Sequence, residues 1–182
     1  MYFPYICKKQ IKMKTLATLI FIFVTFILSA QTSLDKKVFN NINEYRDSLC
    51  LPKLEWDSSA YKASEYQSIY LKSAKNVVGH SNKNKGFETT KDRYKKAGGK
   101  NTFLLGEICN ATNKNYKVID TLIEEKLAIE IVSLWKKSPA HNAIMIEPRM
   151  KYGGCSTKIT TGSTGIKTYT HYDAYSVMVL FE

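Results

Sequence analysis

Apolar residues recur along this chain with a helical period first and a strand period last. From Leu34, the positions Val38, Ile42, Tyr45 and Leu49 follow at spacings of four, three and four, which predicts a helix with one apolar stripe, ended by Pro52. "WDSSAYKASEYQSIYLKSAK" (Trp56 to Lys75) predicts a second helix, with Asp57 as N-cap and Ala60, Ala63, Tyr66 or Gln67, Tyr70 and Ala74 on one side. "NVVGHSNKNKG" (Asn76 to Gly86) is a polar, glycine-bounded loop. Thr89 or Thr90 caps a short helix through Tyr94 that stops at Gly98 and Gly99.

"TFLLGEI" then predicts a short buried strand carrying Glu107. "DTLIEEKLAIEIVSLWKKS" (Asp120 to Ser138) is the clearest helix. Asp120 or Thr121 caps it, Glu124 and Glu125 suit its positive end and Lys136 and Lys137 its negative end, and Leu127, Ile131, Leu134 and Trp135 form the apolar face. Pro139 stops this helix at Ser138, which puts His141 on a tight turn. Beyond it the period becomes two: "YGGCSTKI" and "KTYTHYDAYSVMVLFE", joined by "TTGSTG", predict an antiparallel hairpin. Helices first and strands last argue for an α+β layered fold with an antiparallel sheet, and no internal repeat interrupts it.

The N-terminus changes how the rest is counted. Met1 to Lys14 carries four lysines and no acid, and "TLATLIFIFVTFILSA" (Thr15 to Ala30) is apolar, the pattern of a secretory signal peptide cleaved after Ala30. Met13 opens a second candidate start, and the apolar run is slightly short for a membrane span. Residues 31–182 are then the exported domain, secreted, extracellular or periplasmic, with no stable membrane span. Of the 27 basic residues, 23 remain against 16 acidic, a net charge of +7. With lysines scattered among acids, no basic-aromatic patch and an exported setting, no nucleic-acid partner is expected.

Export also frames the cysteines. Cys7 precedes the apolar run, so Cys50, Cys109 and Cys155 form an odd set in an oxidising compartment, sufficient for at most one internal disulfide. No GxSxG, HExxH, GxxxxGK[ST] or GxGxxG motif is present. One sequon stands at Asn110.

Two of the three histidines sit in small turns, "GHS" at His80 and "SPAH" at His141. Glu107 is an acid inside an apolar segment, where a carboxylate needs a partner, and histidine is the obvious one. Two histidines and a carboxylate also make a first shell for zinc or a similar divalent ion. The competing reading has Glu107 accepting from backbone amides and both histidines closing turns.

Taken in order, "NINEYRDSLCLPKLEWDSSAYKASEY", "GHS", "DRYKKAGG", "GE" and "LWKKSPAHNAIM...MKYGGCS" resemble the CAP superfamily of SCP-like extracellular domains, from about Leu34 to Glu182, and most of all its bacterial branch. The resemblance implies a three-layer α-β-α sandwich around a small antiparallel sheet, and a cleft formed by His80, His141 and Glu107. The second acid of the animal and plant relatives falls on Ser138, and their GEN reads "GEI". Beside the resemblance, a Cys109 to Cys155 bridge across the sheet is expected.

What the resemblance implies for function is a secreted, non-enzymatic domain. Its cleft takes a small ligand or divalent ion such as zinc, and its surface meets a lipid or sterol, a cell-wall component or a protein. The alternative is a metal-assisted hydrolase of peptidase type, with His80 and His141 holding the ion, Glu107 as base and Ser138 as a weaker nucleophile candidate.

Overall fold

The structure is a computed structural model that describes residues 32–74, 78–100, 105–117 and 122–182. The expected signal segment, and Asp120 and Thr121 as helix caps, lie outside the described residues. Helix α1 (Ser33–Ser48) starts at a capping box in which the Thr32 hydroxyl accepts from Asp35 N–H at 3.1 Å and the Asp35 carboxylate accepts from Thr32 N–H at 3.3 Å. Its buried stripe is Leu34, Val38, Phe39, Ile42 and Arg46. Leu49 lies outside it. The helix ends before Pro52, because Cys50 takes a left-handed φ of 56° that turns the chain.

Strand β1 (Glu55–Trp56) leads into helix α2 (Ser58–Ala74), where the Asp57 carboxylate accepts from Ala60 N–H at 2.7 Å, the expected N-cap. The buried face of α2 is built from small side chains, Ala60, Ala63 and Ser64, with Gln67 and Leu71 further along. Small residues are needed because α2 lies almost on the sheet: a Cβ at Gly154 would fall 2.2 Å from Tyr61 N. Ser64 fastens the contact, donating to Gly154 O at 2.7 Å and accepting from Val179 N–H at 3.0 Å.

Helix α3 (Thr90–Lys96) has its own capping box from Thr89 and Asp92, and Gly98, with φ of 89°, turns the chain after it. Strand β2 (Leu105–Lys117) runs well past the short segment expected, because it pairs residue for residue with β4 along its whole length. Helix α4 (Ile123–Lys137) buries Leu127, Ala128, Ile131, Val132 and Trp135. Strands β3 (Tyr152–Ser163) and β4 (Tyr169–Phe181) form the expected antiparallel hairpin.

The sheet order is β1-β3-β4-β2, antiparallel across its three long strands, with the two-residue β1 joining β3 in parallel to make it mixed. Alternation along β4 sends Val177 and Val179 towards Ala60, Ala63, Leu71 and Tyr94 of α2 and α3. Met178 and Leu180 go to the other face, into the larger core with Val38, Ile42, Leu127, Ile131 and Trp135 of α1 and α4. The fold is therefore an α+β sandwich with helices on both faces of one sheet. No described helix is long and apolar enough to cross a membrane.

Candidate functional site

His80 sits in the polar loop between α2 and α3, and that loop is held from below. Fully buried Gln67 donates from Nε2 to Gly79 O at 2.7 Å and to Ser81 O at 3.3 Å, and Asn82 donates back to Gln67 Oε1 at 3.2 Å. Arg93 completes the fastening by donating to His80 O at 3.0 Å and to Phe87 O at 2.8 Å. A loop tied at this many backbone carbonyls presents its histidine in one place.

Glu107, on the α2 and α3 side of β2, receives both. Arg93 Nη2 donates to Oε2 at 2.6 Å, and His80 Nδ1 lies 3.0 Å from Oε1. The carboxylate and the guanidinium are buried, with side-chain exposures of 2% and 0%, while the His80 side chain is 54% exposed. A buried carboxylate facing Nδ1 assigns the ring proton to Nδ1, which leaves Nε2 as the nitrogen with no hydrogen bond among the described residues. The bond to Glu107 raises the His80 pKa above its ordinary value, outweighing partial burial.

Cys109, two residues along the same face, donates to Gly79 O at 3.4 Å and has its sulfur 3.3 Å from His80 Nδ1. Ligand atoms of His80, Glu107 and Cys109 thus lie within 4.8 Å of one another. That trio is a poor cation site despite its spacing. Arg93 already occupies and neutralises Glu107, and burial, reinforced by the Glu107 charge, pushes the Cys109 thiol far above its usual range.

His141 arrives from the opposite end of the fold. Instead of a tight turn, Pro139 opens a second short helix, α5 (Pro139–Met145), after a single extended residue, Ser138, with φ −89° and ψ 114°. Pro at the first helical position loses no hydrogen bond, so the residue that stops α4 also starts α5. Two contacts set α5 in place. A Cβ at Gly106, next to Glu107, would meet Ile144 at 2.8 Å, so glycine there lets α5 close on β2. Fully buried Arg46 donates to Met145 O at 2.7 Å, Glu147 O at 3.2 Å and Met150 O at 3.1 Å, clamping the far end of α5.

The His141 pKa is lowered, chiefly by partial burial and further by the charge of His80, so the two imidazoles sense each other.

A model of the cysteine-rich secretory protein family, CAP, matches residues 39–177. The chain belongs to the CAP family. Among solved structures, this CAP domain is similar to an outer surface protein from Borrelia burgdorferi, with 21% identity and a TM-score of 0.58 over 84% of this chain and 96% of that one. It is also similar to an extracellular protein containing an SCP domain from Bacillus anthracis, with 17% identity and a TM-score of 0.52 over 78% of this chain. The match spans 39% of the Bacillus protein's length. At these identities the likeness establishes the fold. No curated protein matches the chain.

Within this CAP domain the structure groups His80, Glu107 and Cys109 and sets His141 within electrostatic reach. Ser138 is a different case: its hydroxyl caps neither helix and makes no hydrogen bond to His141 or to the His80–Glu107 pair among the described residues. The expected Cys109–Cys155 bridge is overturned. Both are thiols, and they point to opposite faces of the sheet, Cys109 paired with Val177 and Cys155 with Met178. Cys155 donates instead to Asp35 O at 3.0 Å in the α1 layer. The sequon residue Asn110 lies half-buried within β2, with Nδ2 on Ile131 O at 3.5 Å.

Sequence reasoning gave Arg93 no role in the site. A buried acid in an apolar strand calls for a cation, and "DRYKKAGG" supplied one, but nothing local to the sequence says which of its three basic residues turns inward.

Proposed function

We propose that this CAP domain is exported, acts outside the cell or in the periplasm, and binds its ligand without transforming it. The ligand site is the imidazole pair, His80 through Nε2 together with His141, and a divalent ion such as zinc is the simplest occupant. The observation that carries this reading is the division of labour at Glu107. One carboxylate oxygen orients His80 and the other is held by Arg93, which is the arrangement of a carboxylate supporting a metal-ligating histidine from behind. The residues fit such an ion in donor chemistry, with two imidazoles that would bind it in their deprotonated form, His80 giving up a proton to do so. When bound, it would supply a Lewis-acidic centre able to hold a small anionic or carbonyl-bearing molecule.

The same contact speaks against the peptidase reading. A base must be free to reach a water, and Glu107 is buried, neutralised by Arg93 and committed at both oxygens. Export is supported by the leader-like pattern of Met1 to Ala30 and by the extracellular and outer-surface descriptions of the two structural relatives.

Calorimetric zinc titration tests the proposal. One site is expected in the unaltered protein and none in a His80→Ala, His141→Ala double variant. Equal heats for the two proteins would end the metal reading. A peptidase activity lost in Glu107→Gln would overturn the non-enzymatic one.

A further inference from the structure

A pocket beside α3 is lined by none of the residues of the histidine site. Its volume is about 340 Å³, and Asp57, Ser59, Tyr94, Gly98, Gly99, Lys100, Tyr152 and Phe181 line it. Three of these are aromatic and form one contiguous stack. Phe181 is packed between Tyr94, with centroids 5.0 Å apart, and Tyr152, at 5.2 Å in near-parallel stacking. Tyr152 is 36% exposed, so its ring continues the apolar wall to the surface.

The polar groups are equally specific. Asp57 commits one carboxylate oxygen to capping α2 and keeps the other without a hydrogen bond among the described residues. Tyr94 is only 5% exposed, yet no described residue hydrogen-bonds its hydroxyl, which lines the pocket and senses the Asp57 charge. Burial and that charge push its pKa up to about 12, so it is a neutral donor. Ser59 adds a hydroxyl, and Lys100 a cation. The glycine pair keeps the space open: a Cβ at Gly99 would strike the Tyr94 ring at 2.4 Å, and Gly98 needs its left-handed φ of 89°.

We propose that this pocket binds a pyranose unit of a neutral glycan, with the sugar's C–H face against the aromatic wall and its hydroxyls on Asp57, Tyr94 and Ser59. The pairing of donors and acceptors decides the ligand class. An alkyl chain would leave the Asp57 carboxylate and the Tyr94 hydroxyl desolvated and unpaired. A phosphate or dicarboxylate would face Asp57, and an organic cation would face Lys100. A neutral polyol both donates and accepts, and a volume of this size holds one to two sugar rings. The site is independent of the histidine pair, so either proposal stands if the other fails.

The test is a heteronuclear NMR titration of the full domain with cellotriose, maltotriose and chitotriose, at millimolar concentrations, with tetramethylammonium as a separate probe. At least one trisaccharide is expected to shift the amides of Ser59, Gly98, Gly99 and Tyr152 and to leave that of His80 in place. Tyr94→Phe, which keeps the aromatic wall and removes one hydroxyl, is expected to weaken binding about 5- to 10-fold. Tyr152→Ala, at an exposed position, is expected to weaken it further, and His80→Ala not at all. The proposal is overturned if no trisaccharide shifts these amides, if Tyr94→Phe and Tyr152→Ala bind as the unaltered protein does, or if only tetramethylammonium binds.

Discussion

Arg93 Nη2 meets Glu107 Oε2 at 2.6 Å with both side chains out of solvent, and the other oxygen of the same carboxylate carries His80. The pair joins α3 to β2 and fixes the histidine loop through the Arg93 bond to His80 O. Removing one member leaves the other as an uncompensated buried charge, which costs more than the pair contributes.

Arg93→Met is therefore expected to destabilise the domain by about 3–5 kcal/mol. Glu107→Gln, which strands the guanidinium but retains one acceptor, should cost less, and the double variant Arg93→Met, Glu107→Gln should recover part of the loss. Urea denaturation of the three variants measures this. Additive losses in the double variant would show that the two groups do not compensate each other.

The two histidines are shifted in opposite directions, so their linkage to stability has opposite signs. His80 is raised in the folded state by its bond to Glu107. Its contribution is fully present below the unfolded-state pKa, about 6.5, and is lost as pH rises through the higher folded value. His141 is lowered by burial and by His80. It costs nothing above the unfolded pKa and destabilises as pH falls below that value, where the unfolded chain takes the proton first. Imidazole NMR is expected to show His80 titrating above His141. In His80→Asn the His141 midpoint moves upward while remaining below its ordinary value, because the repulsion is gone and the burial is not. An unmoved midpoint would mean the rings do not interact.

Thiol reactivity follows burial. Cys50 is exposed, whereas Cys109 and Cys155 are buried, with pKa values pushed up by desolvation. Under native conditions Cys50 is expected to react with iodoacetamide promptly, and the other two only after unfolding. A non-reduced digest containing a Cys109–Cys155 linked peptide would contradict the placement of these residues on opposite faces.

Gly154→Ala tests the closeness of α2 and β3. The added methyl would stand 2.2 Å from Tyr61 N and 2.6 Å from its Cα, backbone atoms that cannot rotate away. A loss of about 3 kcal/mol or more is expected, at the upper end for overpacking. The same change at Gly162, where a Cβ meets nothing within 4 Å, is the control and should be close to neutral. Thermal melts of the two variants separate a steric cost from a general intolerance of alanine.

The elements legible in the sequence are those set by neighbours in the chain. The cap at Thr89, which the sequence left open between Thr89 and Thr90, the Asp57 cap, the glycine stop at Gly98, the apolar stripe of α4 and the alternation of the hairpin all depend on residues a few positions apart. His80, His141 and Glu107 could be named as a set because the order of short motifs resembled a family. The ionic partner could not. Arg93 lies 14 residues from Glu107 and 27 separate Glu107 from His80, and only the packing of α3 against β2 turns Arg93 inward while its lysine neighbours stay exposed. The cysteine pairing failed for a related reason. Cys109 and Cys155 both sit in strands of one sheet, but which face each side chain takes is a matter of register, and register is fixed by the tertiary pairing with β4.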